Sequence, residues 1–241
     1  AVDKAGINRE RWFLAGVFAL TLSTHAHFLA FLAVPTIAVA FLLFKRPRFS
    51  LRVWAGAVFL VVLLYLPMVL NEIETKGMNT EEFFGAITEK STKEDHILID
   101  KFFRNTAEHA LGALVITTGF EGGTFPAITW SQSRIWWTCA EKCDQGKWYG
   151  VSAGLFLGIS VLLLFFFWWR ESVVTKKDFL LLVGIWLGVT FVLFLPLSYG
   201  FAPRFFLLSG MLFFVLLGLI FVGIQQILRG MLGTVAVTIF V

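Results

Sequence analysis

Apolar and polar positions divide the chain into long uncharged runs separated by short charged breaks. From Trp12 to Phe44 no Asp, Glu, Lys or Arg occurs over 33 residues. As one helix that run would be about 50 Å long, roughly 20 Å more than the hydrocarbon layer of a bilayer. It therefore has to break, and Ser23-Thr-His-Ala-His27 is the polar cluster where it can. The division predicts a short segment near 12–24 and a full span near 26–44, with Pro35 kinking the latter. Further spans are expected at 52–70, 149–169, 179–197 and 204–224, and 230–241 reads as the start of another, cut short. The pattern predicts an all-α, polytopic transmembrane helix bundle: helices over 1–70, an outer loop over 71–148, and helices again over 149–241.

The loop itself carries helical periodicity. Thr92-Lys-Glu-Asp95 resembles an N-terminal capping box, and Phe102, Phe103, Ala107, Ala110, Leu111 and Leu114 follow at helical spacing. Charged residues, among them Asp100, Lys101, Arg104 and Glu108, stand opposite. This predicts an amphipathic interfacial helix near 92–114. A second amphipathic turn is expected from Asn79 or Thr80, with Phe83 and Phe84 toward the membrane.

Composition narrows the class. The chain is 58% hydrophobic and 15% charged, with a mean hydropathy of +0.80, which excludes disordered, collagen-like and disulfide-scaffold proteins. Charge then gives a direction. Of the 16 acidic residues, 12 fall between Asn71 and Lys147, against 8 of the 20 basic ones. The basic residues of the short connections, Lys45, Arg46, Arg48 and Arg52, then Arg170, Lys176, Lys177 and Arg229, fall where a cytoplasmic face is expected. The long loop is then extracytoplasmic, in a bacterial or archaeal plasma membrane. The chain starts at Ala1 and stops within an apolar run, so it reads as a piece of a longer protein.

Few groups can carry chemistry. His25 and His27 sit at the outer break, where an imidazole binds a phosphate or sugar hydroxyl or, equally, satisfies the free carbonyls of a helix end. Glu72 ends a span behind Asn71; it either holds a proton, cation or sugar, or is a solvated helix-end carboxylate. Arg204 suits an anionic lipid phosphate, or snorkels to ordinary headgroups. Cys139 and Cys143, the two cysteines, predict a structural disulfide in an oxidising compartment, since no further metal ligands stand nearby. Phosphate-binding glycine loops, Ser/His/Asp sets and nucleic-acid signatures are missing, and nucleic acid is not an expected partner.

Three blocks carry a family resemblance. Trp12–Phe44, the junction Tyr65-Leu-Pro-Met-Val-Leu-Asn-Glu72 running on to Asn79, and Tyr199-Gly-Phe-Ala-Pro-Arg204 resemble segments of the polyprenyl-phosphate-dependent glycosyltransferases of the GT-C superfamily, of the dolichyl-phosphate-mannose mannosyltransferase kind. The resemblance implies transfer of a sugar from a polyprenyl-phosphate carrier to a lipid, glycan or protein acceptor on the extracytoplasmic face. It implies Arg204, His25, His27, Glu72, Asn79 and Tyr199 as substrate-binding residues, membrane lipids as surroundings, and no certain cofactor beyond a possible divalent metal ion. The catalytic acid pair of such enzymes belongs to a first outer loop, expected upstream of these residues, so the catalytic residues themselves are unknown. Two other classes compete: a polytopic transporter, and a lipid-linked glycan polymerase or ligase.

Overall fold

The computed structural model describes residues 4–25, 28–82, 98–119, 127–131, 134–138, 143–195 and 206–239. Among the described residues the chain is helical apart from one β-hairpin, and it divides into two compact units, residues 1–95 and 96–241. Among the described residues four helices are long and apolar enough to cross a membrane: Leu51–Glu74, Gly150–Arg170, Val174–Phe194 and Ser209–Leu228. They make this an integral membrane protein.

The first unit contains α1 (Lys4–Thr24), α2 (Phe28–Lys45) and α3 (Leu51–Glu74). Helix α1 packs against both of the others. On α2 the buried residues Ala30, Ala33, Val34 and Ile37 form one stripe at helical spacing, and two of the four are alanines. Small side chains let helix backbones approach closely, which matters in lipid, where apolar burial between helices gains little. Pro35 lies on the exposed side of α2, and Thr36 returns its hydroxyl to the Leu32 carbonyl at 2.8 Å. The connection between α2 and α3 is pinned by aromatics. Phe13 stacks on Phe49 at 4.3 Å and meets Trp54 edge-on at 5.4 Å, while the Arg9 guanidinium lies over Phe49.

The second unit contains α4 (Leu98–Thr118), the strands β1 (Ala127–Ser131) and β2 (Arg134–Thr138), and the helices α5 (Cys143–Arg170), α6 (Val174–Phe194) and α7 (Leu207–Ile239). Helix α4 packs on α5, α6 and α7, and those three pack on one another. Its expected start at 92 lies outside the described residues. The apolar face assigned to the membrane surface is shared: Ala110, Leu111 and Ala113 are buried, whereas Leu98, Ile99 and Phe102 remain exposed. Close approach of α4 to α7 rests on Gly112, where a Cβ would come within 2.8 Å of the Phe206 ring.

Two features differ from the sequence reading. The antiparallel hairpin pairs Ala127 with Thr138 through Ser131 with Arg134, an element additional to the amphipathic helices expected in this loop. Its strands, Ala-Ile-Thr-Trp-Ser and Arg-Ile-Trp-Trp-Thr, are rich in β-branched and aromatic residues, which favour a pleated surface. The other correction concerns the last two spans. Residues expected as 204–224 and a separate 230–241 form one uninterrupted helix from Leu207 to Ile239. Arg229-Gly230 interrupts the apolar run without ending the helix, because an isolated glycine costs only about 1 kcal/mol against alanine and no proline follows.

Three buried hydroxyls are satisfied in the same way. Thr21, Ser160 and Thr190 each donate to a carbonyl four residues back on their own helix, at 2.8, 2.6 and 2.9 Å. A helix in lipid must satisfy its polar groups internally, and this is the shortest way to do so.

Candidate functional site

Helix α3 arranges the residues of the first candidate site. Near its middle, Tyr65 meets the end of α1: its ring lies 4.9 Å from that of His25, and its hydroxyl is hydrogen-bonded to Thr24 Oγ1. Thr24 Oγ1 also bonds the Thr21 carbonyl at 2.6 Å, and a carbonyl can only accept. The single threonine proton therefore goes to Thr21, and the Tyr65 hydroxyl donates to Thr24.

Seven residues later, two helical turns and about 10 Å along the same side of α3, stands Glu72. Its carboxylate is held at both oxygens. Oε1 accepts the backbone N–H of Thr80 at 2.9 Å, and Oε2 accepts Asn79 Nδ2 at 3.1 Å. Asn79 Nδ2 also reaches Thr75 Oγ1 at 2.9 Å. This return is possible because the chain reverses through Lys76 and Gly77, both at positive φ, of 54° and 86°. Glu72 thus caps the helical turn at 78–82, which starts one residue before the expected Asn79; Phe83 and Phe84 of the expected turn lie outside the described residues.

The structure brings together Glu72 and Asn79, and places His25 beside Tyr65. His27, Tyr199 and Arg204 lie outside the described residues, as does Cys139 and with it the expected pairing to Cys143. Among the described residues no group of three or more His, Cys, Asp or Glu is placed to hold a metal ion.

A second polar cluster lies within the other unit and was not singled out from the sequence. Asn105 and His109, one turn apart on α4, are both buried, at 0% and 3% exposure. Asn105 Nδ2 donates to the Phe191 carbonyl of α6 at 2.8 Å, fastening the two helices together. His109 Nδ1 lies 2.9 Å from the Asn105 carbonyl and so carries the proton, leaving Nε2 as a bare acceptor. The rings of Phe191, Phe194 and Phe206 surround the imidazole, each about 5.5 Å away. Burial pushes its pKa down to about 4, against a smaller opposing effect of the Asn105 carbonyl. Asn105 Oδ1, His109 Nε2, Trp186 Nε1 and Ser209 Oγ have no hydrogen-bond partner among the described residues. A polar pair at spacing i, i+4 on the apolar side of an amphipathic helix was the available signal.

Beside His109, a cavity of about 600 Å³ lies among α4, α5 and α6, with an almost wholly apolar lining. Its volume is that of a small-molecule or lipid-chain site. No protein-family model matches the chain, and neither a curated protein nor a solved structure matches it.

Proposed function

We propose that this chain is part of a membrane glycosyltransferase, one that moves a sugar from a polyprenyl-phosphate carrier to a lipid, glycan or protein acceptor at the membrane surface reached by the end of α3. The observation that carries this reading is the pairing of Glu72 with Asn79. A carboxylate fixed by a backbone N–H and an amide, at the end of a spanning helix, offers preorganised acceptors to sugar hydroxyls without a reorganisation cost on binding. Tyr65, two turns away on the same side of α3, and the His25 ring beside it add an aromatic surface of the kind that packs against a sugar ring.

The remaining roles follow the resemblance. Arg204 stabilises the charge that develops on the departing lipid phosphate, work for which a bidentate guanidinium is suited. His27 and Tyr199 complete the donor contacts. A divalent ion, where one is used, would be held chiefly by residues of the upstream loop.

The test is transfer of a labelled sugar from polyprenyl phosphate by the full-length protein in proteoliposomes, with and without a chelator. Arg204→Ala should lower turnover by on the order of 100-fold, the scale of losing one charge-stabilising donor. Glu72→Gln should raise the substrate concentration needed for half-maximal rate while the protein remains folded. Unaltered kinetics in both variants would remove these residues from the site. A transporter is the second reading, favoured by the buried Asn105, His109 and Ser209. It predicts solute flux across the same vesicles with no sugar transferred.

A further inference from the structure

The cavity beside His109 is a groove with two ends. Trp168 and Leu180 line one and Phe102 and Val192 the other. From Leu180 to Val192 along α6 is about 18 Å, more than half of the roughly 30 Å hydrocarbon layer and so about the depth of one leaflet. The space exists because α6 carries glycine at 184 and 188, both in the lining. A Cβ at Gly188 would meet nothing within 4 Å, and one at Gly184 only Leu164 Cδ2 at 3.9 Å. Small residues four apart usually mark a helix contact in membranes, yet no helix of the described chain fills this one. The rims include Phe165 and Val192, each more than 60% exposed, so the groove is reachable from outside, and its almost wholly apolar lining suits a hydrocarbon chain.

Cations stand at both ends, but only one end sets a cation against a lining ring: Lys101 and Arg104, beside Phe102 in sequence, are not part of the lining, and Arg104 has an interaction of its own. At the α5–α6 turn the Lys177 ammonium lies 5.3 Å from the Trp168 ring, which itself lines the groove. Lys176 is exposed next to it, and Arg170 lies over Phe166 at 5.8 Å. The acids of this turn are Glu171, whose carboxylate accepts the Val173 N–H at 2.9 Å, and Asp178, which has an interaction of its own. At the other end the polar lining groups are Thr106, which donates to the Phe102 carbonyl at 2.8 Å, and His109, an uncharged imidazole.

We infer that this groove holds one acyl chain of an anionic glycerophospholipid whose phosphate sits at Lys176 and Lys177. The site shares no residue with the Glu72 cluster and stands whether or not the transferase reading does. It explains why a spanning helix keeps two glycines facing a cavity: the bound chain supplies the contacts that side chains would otherwise make.

The test reconstitutes the full-length protein with spin-labelled phosphatidylglycerol or phosphatidylcholine of equal chain length and measures the immobilised fraction. Phosphatidylglycerol should be held selectively, at about one per protein. Lys176→Gln with Lys177→Gln should lower that selectivity by on the order of tenfold, as expected for two surface cations. Gly188→Leu, which has room at its Cβ and gains helix propensity, should abolish the immobilised component for both lipids. Four results overturn the inference. The first is equal retention of the two lipids. The second is selectivity lost on Lys101→Gln with Arg104→Gln but unchanged in the Lys176/Lys177 variant. The third is displacement of the phospholipid by equimolar polyprenyl phosphate. The fourth is a dimer that Gly188→Leu converts to monomer.

Discussion

His109 shows how a side chain of ordinary titration becomes inert by placement. Its folded-state pKa of about 4 lies below the usual 6.5, so protons bind the unfolded chain first as pH falls. The stability contributed by the neutral imidazole is complete above pH 6.5 and is lost progressively down to pH 4. Between pH 7.5 and 5.5, a window in which carboxylates hardly titrate, the loss amounts to about 1 kcal/mol. Thermal unfolding in detergent at the two pH values should show this drop in the wild type, with a smaller one in His109→Leu, which lacks the buried imidazole. Equal drops in the two proteins would mean that the imidazole is solvated. Glu72 makes the complementary point. Its type and position were legible in the sequence, but its partners were not. Thr80 lies eight residues away and reaches it only through the positive-φ pair Lys76-Gly77.

At the scale of elements, the contact of α4 with α7 is limited by one glycine. Phe206 is fully buried against His109, Phe194 and Phe213 and cannot yield to a methyl at residue 112. Overpacking of this kind costs about 1–3 kcal/mol, offset by roughly 1 kcal/mol of helix propensity gained over glycine. Gly112→Ala should therefore lower the unfolding temperature, and adding Phe206→Leu should recover part of the loss. A further decrease in the double variant would show that the ring is not the obstacle. The spans were readable as elements because length and continuity of apolar character mark them. Where α7 ends was not, because helix continuation through Arg229-Gly230 depends on the small difference between a tolerated glycine and a terminating one. The hairpin was missed for a related reason: two five-residue strands carry little periodic signal beside an amphipathic helix.

For the whole molecule, the segregation of charge predicts a topology. Cysteines at Ser50 and Ser172, beside the basic clusters of residues 45–52 and 170–177, should react with an impermeant thiol reagent from the same side of the membrane. A cysteine at Ser131, in the acidic segment, should react from the other side, each position being tested with Cys139 and Cys143 replaced by serine. Labelling of Ser50 and Ser172 from opposite faces would reject the arrangement. Sequence alone determined that the chain is a helical membrane protein, because crossing hydrocarbon demands long uncharged stretches and nothing else in the composition permits a soluble core. It also determined which few ionisable groups stand at the ends of those stretches. Only the tertiary structure decided that Asn105 and His109 are enclosed, that Glu72 is tied to Asn79 and Thr80, and that a pair of glycines opens a groove. Each of these depends on groups distant along the chain, and a pattern of hydropathy records a residue's preference for burial but not the partner that buries it.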